Sequence, residues 1–249
     1  MMFFLPREHG AYGQLLVPLV AALSLFGWPR WSSGFLVVAA LGLFWAHEPL
    51  LVLLGQRGKK QKREHARQAG LLFPVLLCIS LFCFLLALKQ QPDLLWSLAL
   101  PFALCGTVVP FVFAKQEKTT LAEILVALAL ASWSFPVLCS KGVSTQKAWL
   151  VFALLGFSLC VAVLSVRGLL RKVPLWVSSL SGAVFVVILF ALCAYDYIPK
   201  YSYVAGVPPF FLALVLHGFR PGPRYLREVG FGIVGVVLLQ VLLLSWSTR

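Results

Sequence analysis

The chain has 249 residues, of which 61% are hydrophobic and 12% charged, and its 21 Lys and Arg outnumber its 8 Asp and Glu to give a net charge of +13. A single core of this length cannot hide so much apolar surface from water, which excludes a soluble globular domain and points to a bilayer as solvent. The basic residues sit in short segments between apolar runs, so they are not read as a nucleic-acid face but as a match for an anionic membrane surface or an anionic ligand.

In chain order, Met1–Leu5 followed by Pro6, Arg7, Glu8 and His9 lacks the charge-then-apolar order of a signal peptide, and no cleavage is expected. A crossing of the bilayer core takes about 20 helical residues. Apolar runs of that scale cover 13–28, 35–54, 70–88, 94–114, 121–139, 148–166, 175–195, 202–217 and 229–246. The expected fold is therefore all-α, a polytopic transmembrane bundle of about nine helices. In the eighth run Gly206, Pro208 and Pro209 interrupt the pattern, which is tolerated where neighbouring helices satisfy the freed backbone groups. The longest polar stretch, Gln56 to Gln68, is too short to fold alone, so residues 1–249 are read as one integral membrane domain.

Basic residues near span ends favour the cytoplasm. The N-terminal side and the segments after spans two, four, six and eight hold 15 of the 21 basic residues, which predicts a cytoplasmic N-terminus. The six cysteines all fall within apolar runs without C-x-x-C spacing, and are read as small apolar residues rather than disulfides or metal ligands. Trp28, Trp31, Trp96, Trp149 and Trp176 stand near span ends as interfacial anchors.

All four histidines, His9, His47, His65 and His217, and six of the eight acids map to the predicted cytoplasmic half. Glu and His are neighbours in Arg7-Glu8-His9, His47-Glu48-Pro49 and Arg63-Glu64-His65, segments that could meet at one mouth. Glu48 precedes Arg57 by nine residues and so lies on the order of 10 Å below the headgroup boundary, where a charge is costly unless paired or hydrated. Two readings stay open. Glu48 and His47 could be catalytic, as a base, proton carrier or cation partner. Alternatively, Glu48 could be an internal structural pair with Arg7 or Arg167. The basic loop Gln56–Gln68, with Arg57, Arg63, His65 and Arg67, could bind phosphate or diphosphate, or simply set topology and touch anionic lipid. Arg167 and Arg171 are four apart, share a face if their helix continues, and could close on the same anion; as the alternative, they snorkel at the interface. Arg7, Glu8 and His9 complete the candidate substrate-binding set. Glu123, early in span five, is read mainly as a cap on a helix N-terminus. Gly10 and Gly13 around Tyr12 permit a close approach by a helix or headgroup.

The sequence has no phosphate-binding Gly-Lys loop, no H-E-x-x-H, no G-x-S-x-G and no zinc spacing, which argues against an ATP-driven pump, a zinc protease and a serine hydrolase. A transition-metal set of His9, His47, His65 and Glu48 would draw on three segments without a motif, and no metal or other cofactor is assigned.

The opening Pro6-Arg7-Glu8-His9-Gly10-Ala11-Tyr12-Gly13 resembles the Pro-(Lys/Arg)-Glu-His-Gly-Ala-(aromatic) start of the YwiC-like family of bacterial membrane proteins. The architecture also resembles that of UbiA-type prenyltransferases, which implies nine helices, an inside N-terminus and functional loops after spans two and six, where Gln56–Gln68 and Arg167–Lys172 stand. Those enzymes carry aspartate-rich motifs in both loops to bind magnesium and prenyl diphosphate, and this sequence has no aspartate in either. What the resemblance implies is a lipid-facing cavity with a cationic lid, in which Arg and Lys supply the neutralisation. The leading expectation is thus binding of an anionic isoprenoid or membrane lipid at the cytoplasmic face, with a divergent transferase as its catalytic form. The rivals are a proton-coupled transporter or lipid flippase that uses Glu48 as carrier, and a membrane scaffold.

Overall fold

The computed structural model describes residues 9–195, 202–219, 221 and 225–247. The chain forms α1 (His9–Ser24), α2 (Trp31–Leu53), α3 (Lys59–Gln90), α4 (Leu95–Phe113), α5 (Thr120–Ala131), α6 (Ser134–Ser140), α7 (Thr145–Leu169), α8 (Leu175–Ala194), α9 (Val207–Phe219) and α10 (Leu226–Ser247), with 3₁₀ turns at Pro92–Leu94 and Ser202–Gly206. Among the described residues seven helical segments are long and apolar enough to cross a membrane, and Ala11–Ser24 and Tyr203–Phe219 are apolar but shorter. The result is the polytopic helical bundle that the hydropathy predicts. Pro208 and Pro209 do not break the eighth span but open α9, within its first turn, where a missing N–H costs nothing.

Two local features differ from the expectation. Gln56–Gln68 is not a loop: α3 starts at Lys59, directly after Gly58 at φ +97°. Lys, Gln, Arg, Glu and Ala are strong helix formers, so the polar segment is itself helical, and the helix runs on through Gly70 and Pro74 into the apolar span. At 32 residues α3 is about 48 Å long, well beyond the bilayer core of about 30 Å, and its basic first turns extend past the apolar part. Span five is broken into α5 and α6. Pro136 has no N–H to offer the Ser132 carbonyl four residues back, and the Phe135 N–H takes that carbonyl instead at 3.0 Å. The hydroxyls of Ser132 and Ser134 donate back to Ala129 O and Ala131 O, both at 2.7 Å.

The core runs through α7, which packs against α1, α5, α6, α8, α9 and α10. Lipid tails are as apolar as Leu, so helices in a bilayer associate through close packing of small residues and through hydrogen bonds. Ala21, Ala22, Ala39, Ala40 and Ala148 are buried among Leu15, Leu19, Leu36, Leu154 and Leu155. Ser33 Oγ and Ser140 Oγ share a hydrogen bond of 2.7 Å between α2 and α6, and Gln240 Nε2 donates to Leu154 O at 3.1 Å. A Cβ on Gly42 would lie 2.3 Å from Ser80 Oγ, which shows how closely α2 and α3 approach.

Successive spans alternate in direction, with α5 and α6 together forming one, so the bundle has two ends. At one, buried Lys141 donates to Ala22 O at 3.1 Å and Leu23 O at 2.8 Å and also to Leu25 O, capping the last carbonyls of α1. Burial pushes the ammonium below the ordinary lysine pKa, and the three carbonyl dipoles oppose that cost. The start of α1, the ends of α2, α4, α7 and α9, and the starts of α3, α5, α8 and α10 gather at the other, basic end.

Candidate functional site

Glu48 lies in the last turns of α2 and is 4% exposed, whereas His47, one step of about 100° around the helix, is on the exposed face. The two adjacent residues therefore serve different surroundings. The α2 helix ends in a turn where Gly55, at φ +75°, donates to Val52 O and Gln56 N–H to Leu51 O, both at 3.0 Å. This reversal carries Arg57 back over the helix end, and its fork meets both carboxylate oxygens of Glu48, Nε to Oε1 at 2.8 Å and Nη2 to Oε2 at 2.6 Å. Gln56 Nε2 donates to Val112 O at 2.5 Å and so ties the turn to the end of α4. Tyr12 of α1 sets its ring edge-on to Phe44 at 5.2 Å, within electrostatic reach of Glu48. The start of α1 thus lies beside the end of α2 that carries Glu48.

Arg167 is 3% exposed in the last turn of α7 and faces α5. Its Nε donates to Glu123 Oε2 at 2.6 Å, its Nη2 pairs with Oε1 and also donates to Lys118 O at 2.5 Å. The cap on α5 comes from Thr119, whose Oγ1 accepts from Ala122 N at 3.2 Å, so Glu123 is chiefly an ion-pair partner. Because α7 ends at Leu169, Arg167 and Arg171 do not share a helix face. The end of α7 is a Schellman turn: Arg171 N–H donates to Gly168 O at 3.0 Å, Lys172 N–H to Arg167 O at 2.9 Å, and Arg171 takes φ +56°.

Beyond that turn a pocket of about 600 Å³ opens between the α7–α8 connection and the end of α9. Arg171 and Lys172 line it with His217, against Leu169, Leu175 and Trp176, and no acid is among its lining residues. Ser179 Oγ stands 3.3 Å from His217 Nδ1 and holds the ring from behind. Lys172 and His217 were counted in the sequence only for topology and as a titratable group. Their convergence depends on α8 and α9 packing side by side, and only the dense basic cluster Arg167–Lys172 hinted at it.

Glu48 and Arg57 lie outside this pocket. Arg63 and Arg67 are exposed on the first turns of α3, and His65 is half-buried there. Arg7, Glu8 and the His9 side chain lie outside the described residues. Among the described residues no three His, Cys, Asp or Glu side chains come close enough to hold a metal ion. Among the comparisons with known proteins, the model of the family described as YwiC-like protein matches residues 5–139, a little more than half of the chain. No curated protein and no solved structure matches.

Proposed function

This chain belongs to the YwiC-like family, and for it we propose a function within the membrane: binding of an anionic isoprenoid or phospholipid-like amphiphile at the basic end, which faces the cytoplasm of a bacterial cell. One observation carries the reading. Among the described residues Glu48 is closed by Arg57 and Glu123 by Arg167, while Arg171 and Lys172 form no ion pair and face a pocket with apolar walls. Cations left over beside apolar surface at headgroup depth suit a ligand with an anionic head and an apolar tail. The basic start of α3, with Arg63, His65 and Arg67, adds attraction of about 1 kcal/mol per basic residue toward an anionic surface. In the catalytic form of this reading, Glu48 is the acid–base group and exchanges Arg57 for the reacting group.

Mass spectrometry of lipids that co-purify with the protein in mild detergent tests the proposal. The wild type is expected to enrich one anionic amphiphile, and a variant with the basic residues of 59–67 changed to Gln, which keeps the Glu48–Arg57 pair, should carry less of it. Bulk lipid in both, in the same proportions, would sink the reading. Transport is a second reading, supported by the broken fifth span, since discontinuous helices line the sites of many transporters. It requires proton-coupled flux in proteoliposomes that disappears in Glu48→Gln.

A further inference from the structure

We infer that the pocket at the α7–α8 turn receives a phosphate monoester headgroup whose lipid chain enters sideways from the bilayer along α8. The inference rests on the amphiphile-binding reading above and narrows it to one pocket and one headgroup class. At Arg171 and Lys172 the backbone N–H groups are spent on Gly168 O and Arg167 O, so these two residues reach a ligand through their side chains. The floor beneath them is rigid, since Arg167, one helical turn before Arg171, is clamped to Glu123 and Lys118 O.

Two cations and a histidine, with no acid lining the pocket, match a dianion better than a monoanion. A phosphate monoester carries a second ionisation near pH 6 and is largely doubly charged at pH 7, whereas a phosphodiester carries one charge. The volume, about 600 Å³, exceeds what a phosphate fills and leaves room for the first carbons of a chain. The route for the rest begins at the pocket wall. Trp176 is 55% exposed and heads a stripe of exposed apolar residues on α8, Leu180, Val184, Val187 and Ile188, at helical spacing along one face. A chain laid on that stripe stays in the hydrocarbon while its head reaches Arg171 and Lys172. The left-handed backbone of Arg171 also yields a clean variant. Glycine is favoured at φ +56°, so Arg171→Gly removes the guanidinium and keeps the turn.

The test measures binding of dioleoyl phosphatidic acid, dioleoyl phosphatidylglycerol and inorganic phosphate to the full chain in mild detergent by native mass spectrometry. The expected result is phosphatidic acid bound about tenfold tighter than phosphatidylglycerol, the worth of one further charge-assisted hydrogen bond. The preference should vanish in Arg171→Gly/Lys172→Gln. Lys172→Gln alone should reduce it, which keeps the test valid if the double variant does not fold. Equal binding of the two lipids, or a preference that survives the double variant, overturns the inference. Competition by inorganic phosphate at the lipid's own concentration overturns the sideways entry and assigns the pocket to a soluble phosphate. A preference lost only when Lys59, Lys60, Arg63 and Arg67 become Gln overturns the pocket while sparing the broader amphiphile reading. Failure of the wild type to retain any anionic lipid sinks both.

Discussion

Glu48 shows what a single charge at membrane depth requires. A carboxylate taken out of water is tolerated only when paired, and Arg57 supplies a two-point partner. Its burial is legible in the sequence, because Glu48 stands inside an apolar run. Its partner is not: the structure brings it Arg57 and turns Arg167 to Glu123, since the reversal at Gly55 decides which cation returns to the helix end, and Arg7 lies outside the described residues. Arg57→Met strands the buried carboxylate and is expected to cost about 3–5 kcal/mol, whereas Glu48→Gln costs less, because the Arg57 side chain is partly exposed and can reach water. Thermal melts in one detergent should rank the two variants in that order, and the reverse order would mean that Glu48 is not held by this pair. Lys141→Met removes the donor shared by three carbonyls at the end of α1 and should destabilise by about 1–3 kcal/mol in the same assay. No loss would show that the carbonyls find other donors.

At the scale of the element, proline and glycine act through position. Pro136 stands at the break in span five and Pro208 and Pro209 begin a helix, whereas Pro18, Pro49, Pro74, Pro101 and Pro110 lie inside helices that run on through them. Gly42 is required for a different reason. Its hydrogen faces Ser80 at a distance where a methyl group has no room. Gly42→Val should separate α2 from α3 and cost about 1–3 kcal/mol, read as a lowered melting temperature and a broadened size-exclusion peak. An unchanged profile would contradict the close packing. The start of α3 was legible as polar and basic but not as helix, since the eye ends a span where apolar residues end, while helix-forming side chains carry the helix beyond that boundary.

For the whole molecule, the proposed orientation has a direct check. Lys60→Cys and Lys147→Cys place thiols at opposite ends of the bundle. In intact cells a membrane-impermeant maleimide should label Lys147→Cys at once and Lys60→Cys only after permeabilisation, and the opposite pattern would invert the orientation. The membrane class and the polytopic helical bundle were legible in the sequence alone, because hydropathy adds up locally over windows of about 20 residues. Of the nine apolar runs, seven form segments long and apolar enough to cross and two are shorter among the described residues. Which charges meet was decided only by the tertiary structure. The closure of Glu48 by Arg57, the turning of Arg167 toward Glu123 and the convergence of Arg171, Lys172 and His217 on one pocket each depend on how a chain reversal is capped and how a helix is rotated about its axis. A rotation of about 100° separates buried Glu48 from exposed His47, and no local sum over the sequence contains that angle until the neighbouring helices are packed.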